Sequence, residues 1–313
     1  MNPSNLSTSN FKLFLQKIVL PVVGSIFLLA ILFNYFFEQK IILGSEISGA
    51  YKVNRMINAI NKEEIPIIGS SRAEGSYIPD SLVKNGFNYG MDGTQDNVSL
   101  LLLQEECKKN KTTPIIINFE LDGFDYDLGD ESNYIYNSDN PAVKELMGST
   151  YKTIYRIPFL KYFGKFEIYA KYYMNSKINL TKFTNKGASI EKNEISQNKF
   201  NELVQQRANE VWTFSNDKKL ADEYHHLLTT NKNRKFIFVI SPYHPSCFQS
   251  MKNYQEAENF LSSLRAMNNV LVFDFSKVVY PDNYFLNTTH LNLKGAIAFN
   301  KVLRDSLQKN GIR

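Results

Sequence analysis

The amino-acid sequence predicts an α/β fold: a parallel sheet with helices on both faces, preceded by one N-terminal transmembrane helix. Three observations predict it. Short apolar runs at Ile65–Ile68, 114–119, 235–240 and 270–273 alternate with segments of helical composition, the pattern of βαβ units. The run 114–119 (PIIINF) is apolar without alternation, as a strand covered on both faces is. Residues 18–37 carry no charge and are almost wholly apolar, matching the roughly 20 residues needed to cross a bilayer.

Taken in order, 18–37 reads IVLPVVGSIFLLAILFNYFF, with Asn34 its strongly polar side chain. It has no polar face, so a buried core helix is disfavoured. It exceeds the apolar stretch of about 7–15 residues in a cleavable signal, and no small-residue cleavage site follows, so an uncleaved anchor is expected. Lys12 and Lys17 precede the span, and Glu38 and Lys40 follow it. The positive-inside rule then places residues 1–17 in the cytoplasm and the main domain outside. Residues 38–62 read as a polar, partly helical stalk, and 63–313 as one domain.

Within that domain Ile65–Ile68 is the first strand and 87–89 a short second one. Residues 98–107 (VSLLLLQEEC) form a helix, 114–119 a strand and 220–228 a helix. Strand 235–240, helix 254–267, strand 270–273 and an amphipathic helix 293–307 close the chain. Right-handed crossovers put all strand C-termini on one edge, where ligands bind in open α/β sheets. Gly69-Ser70-Ser71, Asn118-Phe119-Glu120 and Ser241-Pro242-Tyr243-His244 each follow a strand directly.

Residues 120–200 interrupt this rhythm, and about 125–210 read as a helical insertion within the domain. Residues 120–139 hold seven acidic side chains and no basic one, whereas 144–199 hold eleven basic and four acidic. Tyr151, Tyr155, Phe159, Tyr162, Phe163, Phe166, Tyr169, Tyr172 and Tyr173 are interleaved. Ordinary packing is the first expectation for them; a lid over the sheet edge or a surface near lipid headgroups are the others.

Composition bounds the chemistry. Lys+Arg 36 against Asp+Glu 31 leaves a net charge of +5 over 313 residues, too small an excess to argue for nucleic acid. Two cysteines, Cys107 and Cys247, exclude a disulfide framework and a Cys-rich zinc module. Four histidines make a His-rich metal site unexpected. Asp122, Asp125, Asp127 and Asp130 lack the sixth-position glycine of an EF-hand loop, since Asp130 stands there counting from Asp125. An acidic loop is the simpler reading, and no metal or organic cofactor is called for.

Acyl-ester chemistry has specific requirements that can be set against the sequence. A serine hydroxyl needs a base within hydrogen-bond reach, most often histidine, and the oxyanion needs donors placed beforehand. Ile68-Gly69-Ser70-Ser71-Arg72 sets a serine between a strand and a helix start, where its own N–H can serve the oxyanion; a plain capped turn is the structural alternative. Asn287-Thr288-Thr289-His290-Leu291-Asn292 sets a histidine in the loop before the last helix.

In these blocks the chain resembles the SGNH (GDSL-type) hydrolase superfamily over roughly residues 63–310, apart from the insertion. The resemblance implies a flavodoxin-like fold, with Ser71 at the nucleophile, His290 at the base and Asn287 at the triad-acid position. Tyr89-Gly90-Met91-Asp92-Gly93-Thr94 resembles the second block, which implies an oxyanion N–H from Gly93 in preference to Gly90. The third block, Gly-x-Asn-Asp, has no counterpart; Asn118 is the nearest candidate donor. Asn287 carries no charge to stabilise an imidazolium, and Asp274 or Asp282 could orient His290 instead. Glu120 or Asp122 close to an oxyanion would oppose it. Arg72 is a candidate for holding an anionic group or for pairing with Asp92. Tyr243 and His244, in a loop stiffened by two prolines, are candidate substrate contacts or parts of a rigid turn.

These departures resemble the divergent, membrane-anchored branch of the superfamily, which includes the D-alanyl transfer protein of teichoic acid systems and acetyl-handling proteins of exopolysaccharide pathways. The expected function is an O-acyltransferase or esterase acting on a cell-surface glycan, partnered with an acyl donor and a membrane-bound acyltransferase. The alternative is a catalytically inactive binding module of a glycan-modification complex.

Overall fold

The computed structural model describes residues 10–158, 160–178 and 180–313. Residues 1–9 of the expected cytoplasmic tail, and Phe159 of the insertion, lie outside the described residues.

Helix α1, Asn10–Ile42, is 33 residues long with a mean hydropathy of 2.3 in its most apolar window. At 1.5 Å per residue it is about 50 Å long, long and apolar enough to span a membrane. Its side chains are mostly exposed until Phe37, the first to be buried in the domain. Helix α2, Gly49–Asn58, follows a Ser48 cap whose hydroxyl accepts from Tyr51 N–H. The segment read as a stalk therefore differs in the structure. Ala50, Val53 and Met56 recur at helical spacing and are buried in the main core, so α2 belongs to the domain. Lys52 is wholly buried, pairs with Glu74 at 2.9 Å and donates to the Gly90 carbonyl.

The sheet is built from β1 (Ile65–Ile68), β2 (Gly86–Asn88) and β3 (Ile115–Asn118), joined by α3 (Ser71–Ser76) and α4 (Asp96–Cys107). Beyond β3 come α5 (Phe166–Ile178), β4 (Lys182–Asn185), β5 (Ala188–Glu191) and α6 (Gln197–Asn209) of the insertion. Then α7 (Lys218–Thr230), β6 (Phe236–Ile240), α8 (Tyr254–Arg265), β7 (Val270–Asp274) and α9 (Leu293–Lys309) complete the fold. The sheet order is β2-β1-β3-β6-β7, with every pair parallel.

Alternation along the strands divides the apolar residues between two layers. Ile67, Ile116, Ile237 and Val239 pack with Phe299, Leu303 and Leu307 of α9. Ile68, Ile115, Ile117 and Phe238 pack with α2, α4, α7 and α8. Both faces are thus covered, which explains why the central strands are apolar almost throughout, Asn118 at the end of β3 excepted.

The insertion is not purely helical. β4 and β5 form an antiparallel hairpin whose turn is Lys186-Gly187, both at positive φ, the geometry a two-residue hairpin turn requires. The hairpin docks on the sheet edge, where Asn88 N–H donates to the Lys186 carbonyl. Tyr155, Tyr162 and Tyr169 are buried, and Tyr162 and Tyr169 gather round Phe37 at the end of α1. These aromatics pack; they do not form a lid over the sheet edge.

Candidate active site

Ser70 is the N-cap of α3, its Oγ accepting from Arg72 N–H. Ser71, the first residue of the helix, is thereby held at the C-terminal end of β1. The opposite wall comes from the loop before α9. That loop is closed by Asn292, whose Oδ1 accepts from Gly295 N–H and whose Nδ2 donates to the Asn283 carbonyl. Leu286 N–H also donates to the His290 carbonyl. Between these two anchored points the His290 side chain reaches the sheet edge, and its Nε2 lies 2.9 Å from Ser71 Oγ. The two residues are 219 positions apart in the chain.

The other ring nitrogen has defined company. His290 Nδ1 lies 3.1 Å from Asn287 Oδ1 and 2.9 Å from Thr289 Oγ1. Asn287 Oδ1 also accepts backbone N–H bonds from Thr289 at 2.9 Å and from His290 at 2.8 Å. Two backbone donors fix which end of the amide faces the ring: it is the oxygen, an acceptor only. The Thr289 hydroxyl donates to the same oxygen at 3.0 Å, so its lone pairs also face Nδ1. The proton therefore sits on Nδ1, and Nε2 presents a lone pair to the Ser71 hydroxyl, the tautomer a general base needs. Burial, and then the Arg72 charge, lower the His290 pKa to about 4. The imidazole is neutral at pH 7.

Ser71 and His290 open onto a cavity of about 320 Å³. Gly93 lines it at φ +70, and a Cβ there would meet nothing within 4 Å. Gly90 is different: a Cβ would stand 2.4 Å from the Glu74 backbone nitrogen. Gly90 is thus required for close packing beneath α3, and Gly93 for backbone conformation at the cavity wall.

Arg72 also lines the cavity but is only 2% exposed. Its Nη2 donates to Ser241 O, Ser241 Oγ and Pro242 O, and the Tyr243 ring lies 3.4 Å from its guanidinium carbon. Glu120 and Asp122 share the cavity. Burial, then mutual repulsion, push Glu120 up to about 7, and burial raises Asp122. Ser70 Oγ donates to Glu120. Their desolvation weakens the opposition to an oxyanion expected from ionised carboxylates, because burial favours their neutral forms.

No protein-family model matches the chain, and no curated protein matches it in sequence. Among solved structures, one from Streptococcus pneumonia, provisionally described as a platelet activating factor, aligns with a TM-score of 0.41. The alignment is 13% identical and covers 87% of this chain and 97% of that one.

Other sequence candidates fall elsewhere. Asn118 is buried in β3, with Oδ1 accepting from Tyr77 and Ser241 and Nδ2 donating to Glu120. It is committed to the core and does not line the cavity. Tyr243 does line it, but its hydroxyl accepts from Leu121 N–H and its ring supports Arg72. His244 turns away, packed between Phe200 and Phe285 with Nδ1 on Ser246 and Nε2 3.4 Å from Asp282. Asp282 is thereby engaged at His244, and Asp274 caps Ser276 N–H. Neither carboxylate is the partner of His290.

Several cavity residues escape a reading of the sequence, Gln95 among them. Thr289 is hidden inside the motif itself. Arg207 comes from the end of the insertion and Trp212 from just beyond it, and Arg207 Nε donates to Thr288 Oγ1. The one tryptophan of the chain is the available signal for this wall.

Proposed function

We propose that this chain is a membrane-anchored, SGNH-like acyl-ester enzyme, an O-acyltransferase or esterase, acting on a cell-surface or exported glycan. The observation that carries the reading is the 2.9 Å approach of Ser71 Oγ to His290 Nε2, with Nδ1 held by an acceptor. Ser71 attacks the acyl carbonyl carbon while His290 takes its proton. The ester C–O bond then breaks, and His290 returns the proton to the departing alcohol. Water, or a sugar hydroxyl, reverses the sequence at the acyl-serine. Ser71 N–H and Gly93 N–H are the oxyanion donors in this reading.

A second cavity of about 400 Å³ shares Gly93 with the first and is lined by Asp92, Asp130, Asn133, Tyr172, Asn175 and Lys182. Its density of hydrogen-bonding side chains suits a polyhydroxylated acceptor. In the same reading the N-terminus is cytoplasmic and the domain extracytoplasmic, beside a membrane-bound acyltransferase that supplies the acyl group.

The test uses the full chain in detergent micelles with a fluorophosphonate probe and an activated acetyl ester. Wild type is labelled and turns over the ester. Ser71→Ala abolishes labelling, and His290→Ala slows it by roughly 10²–10⁴. Labelling that persists in Ser71→Ala overturns the nucleophile. The absence of a charge at Asn287 favours a second reading, an inactive glycan-binding module. Wild-type chain that neither labels nor turns over, yet binds glycan, establishes that one.

A further inference from the structure

The proposed function has the chain anchored in a membrane; what it leaves open is how the domain stands on that membrane. Phe166, the first residue of α5, touches not only Phe37 (5.0 Å between ring centroids) but also Phe33 (6.0 Å). Phe33 lies one turn inside the uncharged run 18–37, about 6 Å deeper at 1.5 Å per residue. Lys17 and Glu38 bracket that run, so sliding α1 outward to free Phe33 would draw Lys17 into hydrocarbon. The end of α5 is therefore held at the hydrocarbon boundary.

The chain just before Phe166 presents an apolar surface there. Ile157 is 47% exposed, Leu160 37% and Phe163 75%, while the intervening Tyr162 is buried against Phe37 and bonds Glu38 through its hydroxyl. Lys152 and Arg156 are exposed alongside. Residues 151–178 carry six basic side chains and one acidic. Exposed large apolar groups flanked by cations, continuous with a membrane helix, have the character of an interfacial segment. From Phe166 onward α5 runs along α1, with Tyr169 against Phe37 and Tyr173 near Gly44, so it climbs away from the bilayer.

We infer that residues 156–158 and 160–166 lie in the headgroup layer of the bilayer that α1 crosses, with Ile157, Leu160 and Phe163 inserted beside the anchor. The domain then stands on the membrane at two points. The second cavity, lined by Tyr172 and Asn175 of α5, is held at a set height above it. This rests on α1 being an anchor, and the experiment separates the two claims.

Full-length Phe163→Trp, Phe36→Trp and Ile297→Trp are reconstituted separately into phosphatidylcholine–phosphatidylglycerol vesicles with or without brominated acyl chains. The contribution of Trp212, taken from the parent chain, is subtracted. All three positions are at least 57% exposed, so the substitutions leave the packing intact. Emission from the indole introduced at position 163 or 36 is expected to fall at least twofold on bromination. The indole at position 297, on α9, is expected to be unchanged. Quenching at position 36 without quenching at 163 overturns the docking and leaves the anchor standing. Quenching at neither overturns the anchor and the docking with it. Equal quenching at positions 297 and 163 overturns the docking as a specific contact.

Discussion

The amide oxygen of Asn287 faces His290 Nδ1 at 3.1 Å and is held there by two backbone N–H groups of its own loop. A side chain that cannot ionise thus does half of what a carboxylate does in this position. It sets the tautomer and the ring orientation without stabilising a positive imidazole.

Supplying the missing half is the first prediction. Asn287→Asp keeps an acceptor for both backbone N–H donors and adds a charge beside Nδ1. The fluorophosphonate labelling rate is expected to rise roughly tenfold, about 1.4 kcal/mol of barrier, with the acid limb of its pH profile moving upward because an opposite charge favours imidazolium. Asn287→Ala, which strands two backbone donors, is expected to cost about 1–3 kcal/mol of stability by chemical denaturation.

The depressed pKa of His290 makes a second prediction. The His290 imidazole is neutral above a pKa of about 4, so, with His290 as the proposed base, labelling of Ser71 holds its plateau down to about pH 5 and falls below about pH 4. An ordinary histidine would lose half its rate near pH 6.5. For stability the sign is set by the folded pKa lying below the unfolded one. The unfolded chain binds more protons between about pH 4 and 6.5, so this group's contribution is intact above 6.5 and is lost as pH falls through that window. The thermal midpoint of wild type relative to His290→Gln, scanned from pH 7 to 4, checks this.

Glu120 has the opposite sign. Its folded pKa is raised to about 7 by burial, so between pH 4.5 and 7 the folded state holds the extra proton. Stability falls as pH rises through that interval. Glu120→Gln keeps an acceptor for Ser70 and cannot ionise. Its melting temperature relative to wild type is expected to be higher at pH 8 than at pH 5.

Two glycines in one loop should respond differently. Gly90→Ala drives a methyl into the α3 backbone and is expected to destabilise by about 3 kcal/mol or more, an overpacking effect. Gly93→Ala meets open space but requires φ +70 of an L-residue, a strain of about 1–2 kcal/mol. It leaves the chain folded and lowers the labelling rate if its N–H moves. Denaturation midpoints and labelling rates of the two variants separate these effects.

Much of the fold is legible in the sequence because it is local. β1 falls on Ile65–Ile68, and β6 and β7 lie within a residue of their apolar runs; for β1 and β6 the reason is burial on both faces, which favours apolar residues throughout. α9 is readable from its periodicity, and Ser71 and His290 from residue types that chemistry requires in loops after β1 and before α9. α2 reads as a stalk because its three core contacts are diluted among polar residues, and only packing against α4 and the sheet reveals which face is inside. The β4–β5 hairpin is hidden because Lys-Gly is a weaker turn signal than Asn-Gly.

The order of apolar runs and the chemistry-bearing loops are thus written along the chain, where periodicity and turn chemistry act over a few residues. Three-dimensional closure settled which carboxylate, amide or ring each of those loops meets. Asp282 went to His244, Asn118 into the core, and Arg207 and Trp212 into the cavity wall. Such pairings depend on side chains distant in sequence sharing one desolvated volume, and no local pattern encodes that.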